Sequence, residues 1–207
     1  MPPELLPPPA QLRRITQSLA MLDAILSPEW EYRYYSFDAH WGPGEEMASM
    51  RNGEGDDWFL LLDSAGAALK GFAHENADDG GLAARILQQV PAAFSAFLRE
   101  PAFSMEAASF CYWRCHSDTQ WHKVSSTQAQ DGADTLLHLL NGDPQAYQRW
   151  AESYYEVAVS AEISAAIFRH QPLTEAMIRT LNPDADPALV FAEATDIGYP
   201  VSAAASA

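Results

Sequence analysis

The run WEYRYYSFDAHWGPGEEMASMRNGEGDDWFLLLDSAGAALKGFAHE, residues 30–75, decides the fold of this chain. Trp30, Tyr32 and Tyr34 alternate with Glu31 and Arg33. That period of two suits a strand with one wet and one dry face, so a first strand is predicted to begin near Trp30. Gly42, Pro43 and Gly44 then impose a turn, because glycine accepts positive φ and proline fixes its own near about −65°. Residues 45–51 read as a second strand, and residues 52–57 as a loop of glycines and acids. Trp58, Phe59, Leu60, Leu61 and Leu62 form an apolar run suited to a central strand buried on both faces. After a tight connection at 63–66, residues 67–75 complete a fourth strand with Leu69 and Lys70 on opposite faces. The four runs predict an antiparallel meander.

Upstream, Leu12, Ile15, Leu19, Leu22 and Leu26 recur at helical spacing and Pro28 ends the pattern, so a helix from Gln11 should pack on one face of the meander. Residues 1–10 read as a disordered proline-rich arm. Downstream, an acidic loop at 76–81 precedes a helix marked by Leu82, Ile86 and Val90, and Pro91 separates it from a turn carrying Phe94, Phe97 and Leu98. Alternation returns over 109–124 and reads as a hairpin added to the sheet. Residues 136–140 read as helical. Asp143 and Pro144 then cap a longer helix with Tyr147, Trp150, Tyr154, Val157 and Ala161 on one stripe. Run on to His170 it would be about 40 Å long; the β-branched residues at 157–159 leave a break there open. Residues 174–181 and 187–197 read as two shorter helices, the second capped by Asp186, before a disordered tail at 201–207. The fold class is α+β: a meander plus a hairpin, packed against an N-terminal helix and a C-terminal helical segment, in a single domain over 11–200.

The 207 residues carry 28 acids against 12 bases, a formal charge of −16. Such a surface repels phosphate backbones and anionic lipid, which argues against nucleic acid or a membrane as partner, and it attracts basic ligands. Cys111 and Cys115 on a strand would be about 13 Å apart, beyond disulfide reach, so reduced thiols and a cytoplasmic location are expected. The first residues lack the pattern of a secretory signal, and no apolar stretch has membrane-spanning length.

No G-x-G-x-x-G, G-x-x-x-x-G-K, H-E-x-x-H or G-x-S-x-G motif occurs, so no cofactor is expected. Asp38 with His40, His74 with Glu75, and His116, Asp118 and His122 are ligand types for a metal, yet a simple meander scatters them and none is expected. The hairpin register matters more. A two- or four-residue turn puts Cys115 opposite His122 with Cβ atoms about 5 Å apart, the raw geometry of a nucleophile and its base. A three-residue turn puts His116 opposite His122 instead. The plainer reading makes Cys115 a small buried hydrophobe and His122 a residue of the polar face.

Six Trp, eight Tyr and nine Phe give an aromatic surplus, with Trp30, Tyr32, Tyr34 and Tyr35 placed on what reads as an edge strand, where amphipathic rings serve as contact anchors. Tyr34 and Tyr35 cannot both face the core. Two functional readings follow. In the first, the chain is a non-catalytic acidic binding protein that holds a basic protein partner through Glu54, Asp56, Asp57, Asp78 and Asp79 together with Trp30, Tyr32 and Tyr34. In the second, it is a small-molecule-binding domain or enzyme whose pocket lies between the sheet and the long aromatic helix, built from Tyr147, Trp150 and Tyr154 with Cys115 and His122.

The runs W-F-L-L-L-D at 58–63 and G-A-A-L-K-G-F-A-H-E at 66–75, with P-A-F at 101–103 and N-G-D-P at 141–144, resemble a set of bacterial hypothetical proteins with no activity attached. In its acidic, reduced, α+β character the chain is also similar to bacterial toxin-immunity proteins of the SUKH-like sort. That similarity implies an immunity-type role; it rests on composition and layout, and no functional residue is carried over with it.

Overall fold

The computed structural model describes residues 2, 4, 6–76, 81–124 and 130–202. Helix α1, Pro9–Leu26, opens on proline at a position whose N–H would have no intrahelical partner, and buries Leu12, Ile15, Leu19, Leu22 and Ile25. The fold begins before the predicted start at Gln11. Leu6 is buried, and the Pro7 carbonyl accepts a 2.8 Å hydrogen bond from the Trp121 indole N–H, so this part of the expected arm is tied to the core, and Pro9 and Ala10 already belong to α1.

The first strand starts later than its alternation suggests. Trp30–Tyr32 is a single 3-10 turn, and strand β1 is Tyr35–Gly42. Five residues of period two cannot distinguish a strand from a turn that exposes nearly everything on it. What fixes the turn is Arg33, whose guanidinium donates to the carbonyls of Ser27 and Pro28 and grips the Glu193 carboxylate with two bonds of 2.7 and 3.1 Å.

Strands β2, Glu45–Arg51, β3, Asp57–Leu62, and β4, Gly66–Phe72, follow as expected, the last stopping short of the predicted Glu75. With β5, Phe110–Cys115, and β6, His122–Lys123, they form one six-stranded antiparallel sheet in chain order. Both faces are covered. Trp58, Leu60 and Leu62 of β3 face one layer with Met50, Leu69 and Tyr112, while Phe59 and Leu61 face the other with Met47, Ala68 and Cys111. The apolar run of β3 is therefore the doubly buried strand its composition predicts.

Helices α2, Gly81–Gln89, and α3, Ser95–Arg99, cover the second face, where Leu82, Ile86, Phe94, Phe97 and Phe103 pack against Phe59 and Leu61. The first face carries α1 together with α4, Ala133–Leu136, α5, Pro144–Tyr155, α6, Ala161–Phe168, α7, Glu175–Leu181, and α8, Pro187–Ile197. Asp143 and Asp186 cap α5 and α8 as read from sequence, accepting from the N–H groups of Gln145 and Ala188 at 2.9 Å. The aromatic helix is broken: Glu156 adopts left-handed backbone, Gln148 and Glu152 hydrogen-bond the Val159 backbone, and Ser160 caps α6. Val201 bridges to Leu173, and residues 203–207 of the expected tail lie outside the described residues. Among the described residues no helix is long and apolar enough to cross a membrane.

The hairpin takes neither of the predicted registers. Tyr112 faces Lys123 and Trp113 faces His122. The cause is a longer turn built on Asp118, which accepts the Cys115 N–H at 3.0 Å and returns its own N–H to the Cys115 carbonyl at 3.0 Å, while Trp121 turns inward to reach Pro7. Cys115 consequently opposes neither histidine, and His116 does not face His122.

Candidate functional site

Where the 3-10 turn meets the end of β2 and the end of α5, a cleft of about 480 Å³ opens, lined by Trp30, Tyr32, Tyr34, Arg51, Tyr154 and Tyr155 among others. Three of its rings are unusually open for their size: Trp30 is 56% exposed, Tyr32 63% and Tyr154 42%. Behind them the wall is packed. Tyr34 lies edge-on to Tyr154 at 5.0 Å and 4.7 Å from Trp150, which stacks on Tyr154 at 5.1 Å. The Arg51 guanidinium sits 4.9 Å from the centroid of Trp30, a cation–π contact at the mouth.

Behind the cleft the backbone of Tyr34 is held by a buried acid. Asp23 of α1 is fully buried, and its carboxylate accepts N–H bonds from Tyr35 at 2.7 Å and Tyr34 at 3.2 Å and an O–H bond from Tyr147 at 2.7 Å. Burial pushes its pKa up to about 6 against the opposing pull of those hydrogen bonds. The Tyr155 hydroxyl is buried beside the same carboxylate, outside normal hydrogen-bond geometry. Burial raises the Tyr34 phenol to about 12, with Tyr154, Asp56, Asp23 and Glu54 adding to it; burial, Asp23 and Glu54 raise Tyr154 as well.

The acids assigned to partner binding divide into three groups. Glu54 is exposed at the tip of the β2–β3 loop. Asp56 and Asp57 are engaged internally. Asp56 accepts both the backbone N–H and the ring Nδ1 of His74, at 2.8 and 2.7 Å, and is steadied by Asn52 at 2.8 Å. Although burial opposes it, these bonds hold Asp56 below the usual carboxylate range, and in turn His74 is raised. Asp57 pairs with the wholly buried Lys70 at 3.0 Å, and burial shifts both toward their neutral forms. Asp78 and Asp79 lie outside the described residues.

The residues of the alternative pocket do not converge. Tyr147 is buried in the core, whereas Tyr154 lines the cleft and Trp150 packs behind it. Cys115 pairs with Gly66 at the end of the sheet where Leu62 pairs with Glu46; the cleft is at the other end, where Arg51 pairs with Asp57. Cys115 lines a separate groove of about 400 Å³ with Pro9, Arg13, Glu46 and His116. Its thiol is raised by burial and by the carboxylates of Asp118 and Asp63, the opposite of what a nucleophile needs. His122 stacks on Trp113 at 4.0 Å and lies 3.3 Å from Asp118. Asp38 accepts the His40 N–H, and among the described residues no three His, Cys, Asp or Glu side chains are grouped to hold a metal ion.

Sequence reading named Trp30, Tyr32, Tyr34 and Tyr154 but assigned Tyr154 to a different site, and it passed over Arg51, Tyr155 and Asp23. One signal was present for the last: Asp23 stands four residues after Leu19 and three before Leu26, on the apolar stripe of α1. Comparison with protein-family models, with curated proteins and with solved structures gives no match.

Proposed function

We propose that this chain is a binding protein for a basic protein partner, with the cleft at the Trp30 turn as its contact surface. One observation carries the reading: Trp30, Tyr32 and Tyr154, aromatic residues of the kind that dominate binding energy at interfaces, stand exposed together on one cleft of an otherwise well-packed fold. The formal charge of −16 sets the sign of the partner, and Glu29, Glu31 and Glu54 are exposed around the rings. An immunity-type role, masking a basic toxin, is one biological form of such binding.

The test places a photo-crosslinking amino acid at Tyr32 in the source cell and identifies what it captures. Affinity of the purified partner is then measured at about 50 mM and about 300 mM salt. A basic partner whose affinity falls about tenfold across that range, and about tenfold again on Trp30→Ala, is the expected result. An acidic partner, or one indifferent to both salt and Trp30, overturns the proposal.

A further inference from the structure

The contact surface has a chemistry narrower than apolarity. Its walls are ring faces, Glu31 lines it, and Glu54 is exposed on the adjoining loop. Aromatic faces beside exposed carboxylates favour a cation. Of the two cations in the lining, Arg33 is fully engaged by Glu193 and by the carbonyls of Ser27 and Pro28. Arg51 is exposed, forms no ion pair among the described residues, and rests on the Trp30 ring.

Resting on the basic-partner reading, we propose that the cleft is a receptor for a guanidinium side chain of that partner, held against Trp30, Tyr32 and Tyr154, and that Arg51 occupies part of it in the free protein as an intramolecular stand-in. A guanidinium suits the site better than an ammonium, because it is planar, weakly hydrated and stacks on rings. The Arg51–Trp30 contact is that arrangement already made once within the chain.

The intact protein is titrated with N-acetylarginine methylamide, following the Trp30 indole and Tyr154 ring signals by NMR. The uncharged isostere N-acetylcitrulline methylamide and N-acetyllysine methylamide serve as comparators. Saturable shifts at both rings with a Kd on the order of millimolar are expected for arginine, with citrulline inert and lysine weaker. Tyr154→Ala should abolish the shifts at Trp30, and Glu54→Gln should weaken binding several-fold. Arg51→Ala should tighten it by roughly three- to tenfold, since it vacates a ring face and removes a like charge; a residue that only supported the cleft would weaken it instead. Equal binding of citrulline or lysine, shifts confined to other residues, or weaker binding by Arg51→Ala overturns the assignment. If a basic partner is held through Trp30 while arginine fails to bind, the receptor falls and the partner reading stands; if arginine binds and no basic partner is captured, the partner reading falls alone.

Discussion

The hydroxyl of Tyr147 donates a 2.7 Å hydrogen bond to the carboxylate of Asp23, joining α5 to α1 at a point where both side chains are buried. The same carboxylate holds the backbone N–H groups of Tyr34 and Tyr35, so one acid fixes the entry to β1 and the helix that forms the cleft wall. Its burial carries a cost that depends on pH.

Asp23 has a folded pKa of about 6 against an ordinary 3.8. The folded state therefore binds a proton more readily than the unfolded state, and stability present below about pH 4 is lost as pH rises through about 6. The change amounts to roughly 3 kcal/mol for a shift of about two units. Urea unfolding of the protein and of Asp23→Asn across pH 4 to 7.5 should show the stability difference between them moving against the native carboxyl as pH rises. A difference that stays flat would remove Asp23 as the titrating group.

Lys70 is wholly buried on β4, with Asp57 as its ion-pair partner at 3.0 Å. Asp57→Ala strands that charge and should cost about 3 kcal/mol, whereas Lys70→Met, which removes it, should cost under about 1 kcal/mol. Denaturant midpoints of the two variants check the asymmetry; equal losses would contradict it.

Gly66 joins β3 to β4 at φ +147°, and a Cβ there would stand 2.1 Å from the Arg114 carbonyl oxygen on β5. Gly53, at φ +75°, has nothing within 4 Å of such an atom. Gly66→Ala should lose about 2 to 4 kcal/mol and Gly53→Ala about 1 kcal/mol, read by thermal melting. A Gly66→Ala protein as stable as Gly53→Ala would mean that β4 and β5 do not approach so closely.

Trp58 and Trp30 separate scaffold from surface. Trp58 is buried and donates its indole N–H to the Leu136 carbonyl at 3.1 Å. Trp58→Ala should cost about 3 to 5 kcal/mol, and Trp30→Ala under about 1 kcal/mol, so that a binding defect in the latter is a defect of contact. Circular dichroism melts of both variants decide this.

Much of the scaffold was legible because its signals are local. The turn glycines before β2, the apolar run of β3 and the caps at Asp143 and Asp186 each act within a few residues of where they stand. The strand misread at Trp30–Tyr32 and the register of the β5–β6 hairpin depend on remote partners: Glu193 secures the first through Arg33, and Pro7 draws in the Trp121 that lengthens the turn of the second. The burial of Lys70 was hidden for the same reason, since only the covering of the second sheet face by α2 and α3 encloses it. The cleft was half visible. Its turn rings lie in one stretch of sequence, but Tyr154 and Tyr155 reach them only after α5 docks on Asp23.

The way α1 is buried also dictates when the chain can finish folding. Gln17 donates to the Ile197 carbonyl and Ser18 to the Ile167 carbonyl, and twelve of the helix's eighteen residues are buried, much of that surface against α6, α7 and α8. On a ribosome α1 must wait with part of its greasy side bare until α6, α7 and α8, far along the chain, have been made. That interval is when α1 is most open to aggregation, and chaperone capture should concentrate on it.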